Sequence, residues 1–326
     1  MITSPRFIAV ASSKGGIGKS TAALGISRAL CARGKKVLLA DLDYGNACLD
    51  MLCRVEDSVL YTSADVSRGI CTPEEAVIKP EGEGLFLLAA PSGGRTVILP
   101  GAHKDKDSGP KTGAENGAEN SAGNSAGNSA ENGGADGAAD KSPSQLKDGI
   151  AEDILTESGF AADADSIAKA VRDAAVSVGA DRVILDTGAG VSGGFLAAAS
   201  LSSQALVVAG HSPVSLRSAE STAERLSVSG VSDVRLIINN FDGTGVLRRS
   251  PFRRSGIFNM IDTARIPLAG VIPYDYDLTL SHEGGGRGGA LSEAAFANIA
   301  ARIEGENVPL FSGMKHYRKI RNKLYI

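Results

Sequence analysis

Residues 12 to 21 read SSKGGIGKST, three glycines and two lysines between a short apolar run and the start of a helical pattern. Upstream, Phe7 to Ala11 (FIAVA) is apolar and strand-favouring. Downstream of Lys19, apolar side chains recur at Ala22, Ala23, Ile26, Ala29 and Leu30, the period of a helix. The glycines therefore join a strand to a helix. Gly34 stops that helix and Lys35 to Asp41 (KKVLLAD) is a second buried strand, so the first 41 residues are expected to form a right-handed parallel β-loop-α-β unit.

A GxxxxGK[ST] loop wraps its backbone N–H groups around phosphate oxygens, and glycine permits both the close approach and the positive φ angles. The following helix adds the partial positive charge of its N-terminus. On this reading Ser13, Lys14, Gly15, Gly16, Ile17, Gly18, Lys19, Ser20 and Thr21 line the phosphates of ATP. Lys19 neutralises the β- and γ-phosphates, and the Ser20 hydroxyl is a ligand of Mg²⁺. One position departs from the pattern: Ser13 stands where the first glycine belongs.

That departure, with the second lysine, gives K-G-G-x-G-K-[ST] over Lys14 to Ser20, which resembles the deviant Walker A loop of the MinD/ParA family of ATPases. The resemblance implies that Lys14 crosses a dimer interface to the phosphates bound by a second copy. A cation from each side offsets the charge of two facing nucleotides, which makes ATP part of the interface.

After residue 150 strands and helices alternate again. Arg182 to Asp186 (RVILD), Ala205 to Gly210 (ALVVAG), Val234 to Asn239 (VRLIIN) and Leu268 to Ile272 (LAGVI) are apolar without polar alternation, as strands buried on both faces are. Ser212-Pro213 supplies a helix cap and a first-turn proline. The expected fold is α/β, a doubly wound, mostly parallel sheet with helices on both faces and ligands at the carboxyl ends of the strands. Asp186 is read as ending its strand and opening DTGAG, and Asp41 and Asp43 end the second strand as D-x-D before Gly45.

The resemblance assigns these acids roles: Asp186 holds Mg²⁺ or its water shell, Asp43 orients the attacking water, and Asp41 supports it. It reaches over nearly all the chain outside residues 101–149, and is strongest to the MinD branch, in DLDYGNACLD, SPVSLRSAE, IINN and PLAGVIPYD. It also implies that Asn239 contacts adenine and that Pro273 lies at the nucleotide. Two positions differ from that branch. Cys48 replaces an asparagine, and Gly188 stands where proline is usual, a form closer to the flagellar-number regulators FlhG and FleN.

Residues 101–149 change character. Five successive tetrads, GAEN, GAEN, SAGN, SAGN and SAEN, occupy Gly113 to Asn132, with almost nothing to bury, so this segment reads as a disordered insertion in a single domain made of 1–100 and 150–311. Residues 312–326 form a basic tail. Over 313–326 a helical projection gathers Met314, Tyr317, Ile320, Leu324 and Tyr325 opposite Lys315, Arg318, Lys319 and Lys323, with Arg321 intruding on the apolar arc. Such a segment suits an anionic membrane surface, and its five Lys and Arg, in a chain of net charge −3, leave −8 on the remainder, so the cations are segregated at this end.

Composition narrows the function classes. With 326 residues, 43% hydrophobic content and no long apolar run or export signal, the chain reads as a cytoplasmic α/β protein that visits the inner face of the membrane peripherally. Cys31, Cys48, Cys53 and Cys71 lack CxxC spacing, which argues against structural zinc and iron–sulfur clusters. The resemblance to the MinD branch implies an ATP-dependent homodimer that binds membrane through its tail, is released on hydrolysis and positions division machinery, with a further effector protein stimulating it. The alternatives are a ParA-like DNA partition ATPase, which would use Arg248, Arg249, Arg253 and Arg254 on phosphates, an FlhG-like flagellar regulator, and a bacterial tyrosine autokinase. The acidic body disfavours nucleic acid.

Overall fold

The computed structural model describes residues 4–91, 164–241, 264–280 and 288–314. Eight strands form one sheet: β1 (Arg6–Ser12), β2 (Val37–Leu42), β3 (Val77–Ile78), β4 (Leu85–Leu88), β5 (Arg182–Ala189), β6 (Gln204–Ala209), β7 (Asp233–Phe241) and β8 (Leu268–Pro273), in the order β3-β4-β2-β5-β1-β6-β7-β8. All neighbours are parallel except the two-residue edge pair β3–β4. The β2, β6 and β8 residues are buried throughout, because helices cover the sheet on both sides. Long connecting helices are α1 (Lys19–Cys31), α5 (Ala164–Ser177), α6 (Gly193–Leu201), α7 (Pro213–Val228) and α9 (Ala290–Ile303), with short α2 (Leu49–Cys53), α3 (Ser63–Ser67), α4 (Pro73–Ala76) and α8 (Tyr276–Leu280) between them. The expected doubly wound fold is present, and Ser212 caps α7 as its sequence suggests, its hydroxyl accepting from the Ser215 N–H at 3.2 Å.

Two expected ends are corrected. β5 does not stop at Asp186 but runs to Ala189, because pairing continues on both flanks: Leu42 opposite Thr187 on β2 and Ser12 opposite Ala189 on β1. Asp186 is thus an interior strand residue. Met314, which a helical projection sets on the apolar arc of the tail, is 2% exposed and packs in the core with Phe311. Asn298 on α9 holds this stretch by donating to the Ser312 carbonyl at 2.8 Å. The described residues end at Met314, and the rest of the tail, like the tetrad insertion and the arginines at 248–254, lies outside them. The chain on either side of the insertion, Met1–Gly94 and Ile154–Ile326, belongs to one compact unit.

α1 is pressed against α9 at one point. A Cβ at Gly25 would stand 2.5–2.6 Å from three atoms of the Phe296 ring, which is itself 5% exposed. Alanine in a helix ordinarily gains about 1 kcal/mol over glycine. Here Gly25→Ala is expected to lose roughly 1–3 kcal/mol by overpacking, measurable as a lower urea midpoint at unchanged slope.

Candidate nucleotide-binding site

β1 lies in the middle of the sheet, and the chain leaves it for α1 and then β2, with β5 inserted between β1 and β2. Three carboxyl ends are thereby brought together, each carrying a polar stretch. Cα pairing sets Val10 of β1 and Asp41 of β2 on either side of Asp186 of β5. Asp41 and Asp186 point to the same side of the pleat.

The loop 13–18 closes over these ends. Ser12, 2% exposed, shapes its base by donating its hydroxyl to the Lys14 carbonyl at 2.7 Å, a contact the motif alone does not announce. Gly16 and Gly18 take φ of +69° and +88°, the left-handed values that favour glycine. Gly18 is also approached closely by Asn239, whose amide donates to the Ile17 carbonyl at 2.8 Å, so a side chain at 18 would collide with it. Asn239 and the phosphate loop are therefore one packed unit. Pro273 ends β8 opposite Phe241, buried, and does not line the cleft described next.

That cleft, about 670 Å³, is lined by Gly15, Gly16, Gly18, Lys19, Ser20, Thr21, Asp43, Cys48 and Ala189, with Asn46, Met51 and Leu52 closing one side. Ser13 and Lys14 are exposed at its rim, whereas Lys19 is 5% exposed and lies within it. Met51 and Leu52 carry no motif signal, and Asn46 has no assigned role within DLDYGNACLD; all three arrive because the chain after β2 folds back across the loop. Asp41 makes it do so. Its Oδ1 accepts from the Asp43 N–H at 3.0 Å, and its Oδ2 from Cys48 and Leu49 N–H at 3.2 Å each, pinning the 43–49 segment.

Burial dominates the electrostatics. It pushes the Asp41 carboxyl up to about 7 against the three backbone donors that favour its charge. It also raises Asp186, which the Asp41 charge raises further while Ser20 and Lys19 lower it, and it raises Asp43, which Lys19 lowers. Asp186 is fully buried and neither of its oxygens has a hydrogen bond of ordinary length and angle, although the Ser20 hydroxyl is near enough to favour its charge. A buried carboxylate without such a bond, beside a hydroxyl, fits a hard divalent cation held by oxygen. No three His, Cys, Asp or Glu side chains among the described residues gather into a metal cage. Mg²⁺ takes few protein ligands and completes its shell with water and substrate phosphate, so Ser20 and Asp186 are the residues that would hold it.

The raised carboxyls fix the sign of a pH effect. Between the unfolded Asp value of 3.8 and about 7 the native state binds more protons than the unfolded chain, so stability rises as pH falls through that window. The nucleotide-free protein is expected to be about 2 kcal/mol more stable near pH 5.5 than at pH 8 by denaturant titration, and Asp41→Asn should flatten the difference. Glu304 shifts the other way: burial raises it, but its bidentate pair with Arg182 at 2.7 Å prevails and holds it below the ordinary glutamate value.

The two departures from the MinD pattern sit against this cluster. A Cβ at Gly188 would lie 2.9 Å from Asp43 Oδ1, so the glycine leaves the room this carboxylate occupies. The Cys48 thiol, half-buried and pushed up to about 11 by burial, has the Ser20 hydroxyl as its favourable neighbour. Thr187 closes the row, donating to Val10 and Gly188 carbonyls at 3.2 Å.

Comparison with known proteins agrees with this geometry. The septum site-determining protein MinD of Synechocystis is 24% identical over 324 residues, 98% of this chain and 97% of that protein. Among solved structures, the MinC:MinD cell division protein complex of Aquifex aeolicus superposes with a TM-score of 0.66 at 23% identity, covering 94% of this chain and 98% of the other. The septum site-determining protein MinD of Pyrococcus horikoshii, complexed with Mg-ADP, gives 0.59 at 20% identity over 92% and 96%. The model of the CobQ/CobB/MinD/ParA nucleotide binding domain matches residues 8–285. Loop, acidic row and match over most of the length lead to one conclusion: the chain belongs to the CobQ/CobB/MinD/ParA nucleotide-binding family.

Proposed function

We propose that this protein is a MinD-like ATPase switch that binds ATP with Mg²⁺, pairs with a second copy across the nucleotides, attaches to an anionic membrane through its basic tail and is released after hydrolysis. The observation that carries the reading is the buried Asp186 carboxylate beside Ser20 and Lys19 at the floor of a glycine loop. Lys19 and the loop N–H groups hold the phosphates, Ser20 and Asp186 hold the cation, and Asp43 orients the attacking water. Asp41 keeps Asp43 and the 43–49 segment in place, and the exposed Lys14 reaches the partner's nucleotide. When bound, Mg²⁺ supplies stabilisation of phosphate charge.

Attachment follows from valency. Among the described residues no helix is long and apolar enough to cross a membrane. Each Lys or Arg of a tail near anionic lipid contributes about 1 kcal/mol, so one short tail binds weakly. Two tails on one dimer raise avidity by roughly 10² to 10⁴ without new contacts. The cellular output on this reading is a cytoplasmic protein that visits the inner membrane face and positions division machinery, with hydrolysis as the timer and a further protein as its stimulus. The MinC:MinD complex of Aquifex supports the kind of partner.

The test is co-sedimentation with anionic liposomes under ATP, ADP or no nucleotide, for the whole chain and a chain ending at Met314, the last described residue. ATP-dependent pelleting should fall about 100-fold in apparent affinity without the tail. Pelleting that ignores either nucleotide or tail would reject the membrane switch.

A further inference from the structure

Asp41 grips the segment 43–49 at its two ends, through the Asp43 N–H at 3.0 Å and the Cys48 and Leu49 N–H groups at 3.2 Å each. The middle needs a separate hold, because Gly45 has no side chain and Asn46 is exposed. Tyr44 supplies it. Its hydroxyl shares a hydrogen bond of 2.8 Å with the Ser63 hydroxyl, while its ring packs against the core. Ser63 is fully buried at the start of α3, and its own N–H donates to the Ala89 carbonyl at 2.8 Å. The preceding Thr62 fixes the same turn, giving its N–H and hydroxyl to Asp65 Oδ2 at 2.8 and 2.7 Å. Ala89 follows β4, whose Leu88 pairs with Ala40 of β2, the strand that runs into Asp43. A closed circuit results: it leaves the sheet at β2, passes through Asp43 and Tyr44, crosses the two hydroxyls to α3 and returns to the sheet at β4.

We propose that Tyr44 is a positioning residue for ATP hydrolysis: its bond to Ser63 fixes the chain immediately after Asp43 and so holds the Asp43 carboxylate where the attacking water is oriented. The inference rests on the reading of Asp43 as the water-orienting group and goes beyond it by naming what aims that carboxylate. The room left to Asp43 is narrow, since a Cβ at Gly188 would already stand 2.9 Å from its Oδ1. A backbone free to turn at Tyr44 would carry the carboxylate out of that space, and misplacement of a reacting group by about 1 Å costs as much as about 100-fold in rate. Burial pushes the Tyr44 hydroxyl up to about 12, so at neutral pH the bond joins two uncharged groups and holds whatever the state of the neighbouring acids.

The experiment uses the full chain with Mg-ATP, at a protein concentration where turnover per chain no longer rises, and compares the parent with Tyr44→Phe, Ser63→Ala, the double variant and Asp43→Ala. Tyr44→Phe keeps the packed ring and removes its oxygen; Ser63→Ala removes the other oxygen and keeps the N–H bond to Ala89. The expected result is a kcat about tenfold lower or more in each single variant and no lower in the double, with KM and the calorimetric affinity for Mg-ATP within about twofold of the parent. A side chain that served the fold alone would lower the urea midpoint without parting kcat from KM. Three results overturn the proposal: an unchanged kcat in Tyr44→Phe, a loss of affinity in step with the loss of rate, or a double variant whose loss is the product of the two singles. Asp43→Ala separates this failure from failure of the reading beneath it. If that variant turns over like the parent, or the parent hydrolyses no ATP, the water-orienting role falls and takes the inference with it; an inactive Asp43→Ala beside an unimpaired Tyr44→Phe sinks the inference alone. Should Ser63→Ala fold poorly, kcat and KM of Tyr44→Phe decide by themselves.

Discussion

Replacing Lys19 by alanine is expected to weaken nucleotide binding by about 10²- to 10³-fold, because the change removes a positive charge that is 5% exposed and leaves the phosphates with the neutral donors of the loop beside a row of carboxylates. Lys19 also favours the charged forms of Asp43 and Asp186 in the empty site. The variant should therefore show a steeper loss of stability between pH 5.5 and pH 8 than the parent, since the buried acids hold their protons harder once the cation is gone. Calorimetry with Mg-ATP and denaturant titration at the two pH values check both halves. Near-normal affinity in Lys19→Ala would remove the phosphate role from this residue.

Lys14→Ala should separate two properties that Lys19→Ala removes together. Lys14 is exposed at the rim, and its contribution to the loop inside one protomer is a backbone carbonyl held by Ser12 at 2.7 Å. Truncating the side chain leaves that bond, so nucleotide affinity of the monomer is expected to stay within a few-fold. Self-association under saturating Mg-ATP is expected to fall by about 100-fold or more, as a cation is lost from a desolvated cluster of phosphates at each site. Light scattering across a concentration series measures it. A dimer of unchanged strength would end the cross-subunit role.

Much of the fold could be read from the chain because parallel strands buried on both sides leave continuous apolar runs, as FIAVA, RVILD and ALVVAG show. The phosphate loop was legible for a different reason: close approach of backbone to an anion demands glycine and lysine at set spacings. What stayed hidden depends on neighbours far away in sequence. The continuation of β5 through Thr187, Gly188 and Ala189 is imposed by pairing with β1 and β2, and a TGA triplet carries no sign of it. Ser12 likewise looks like an ordinary strand-end residue until its acceptor is seen, and Asp41, to which the resemblance gives a supporting role, shows how it supports only once its three backbone donors are seen. Met314 misled because a hydrophobic residue beside a basic run fits an amphipathic helix as well as a core, and only the packing around Phe311 decides. Cys48 and Gly188 stood out as exceptions to a pattern, and their meaning came from what each one faces: Ser20 for the thiol, Asp43 for the missing Cβ.

The place of β5 between β1 and β2 has a consequence for biosynthesis. About 140 residues of chain separate the end of β2 from the start of β5, and ribosomes add roughly 5–20 residues per second. For on the order of ten seconds or more, a nascent chain carries two aliphatic strands with a vacant slot between them and sticky backbone edges on both sides. The apolar strand made early in that interval, β4, pairs with the outer edge of β2 and leaves the inner slot to β5, and the tetrads of Gly, Ala, Ser, Asn and Glu that follow it add almost no apolar surface while the slot is open.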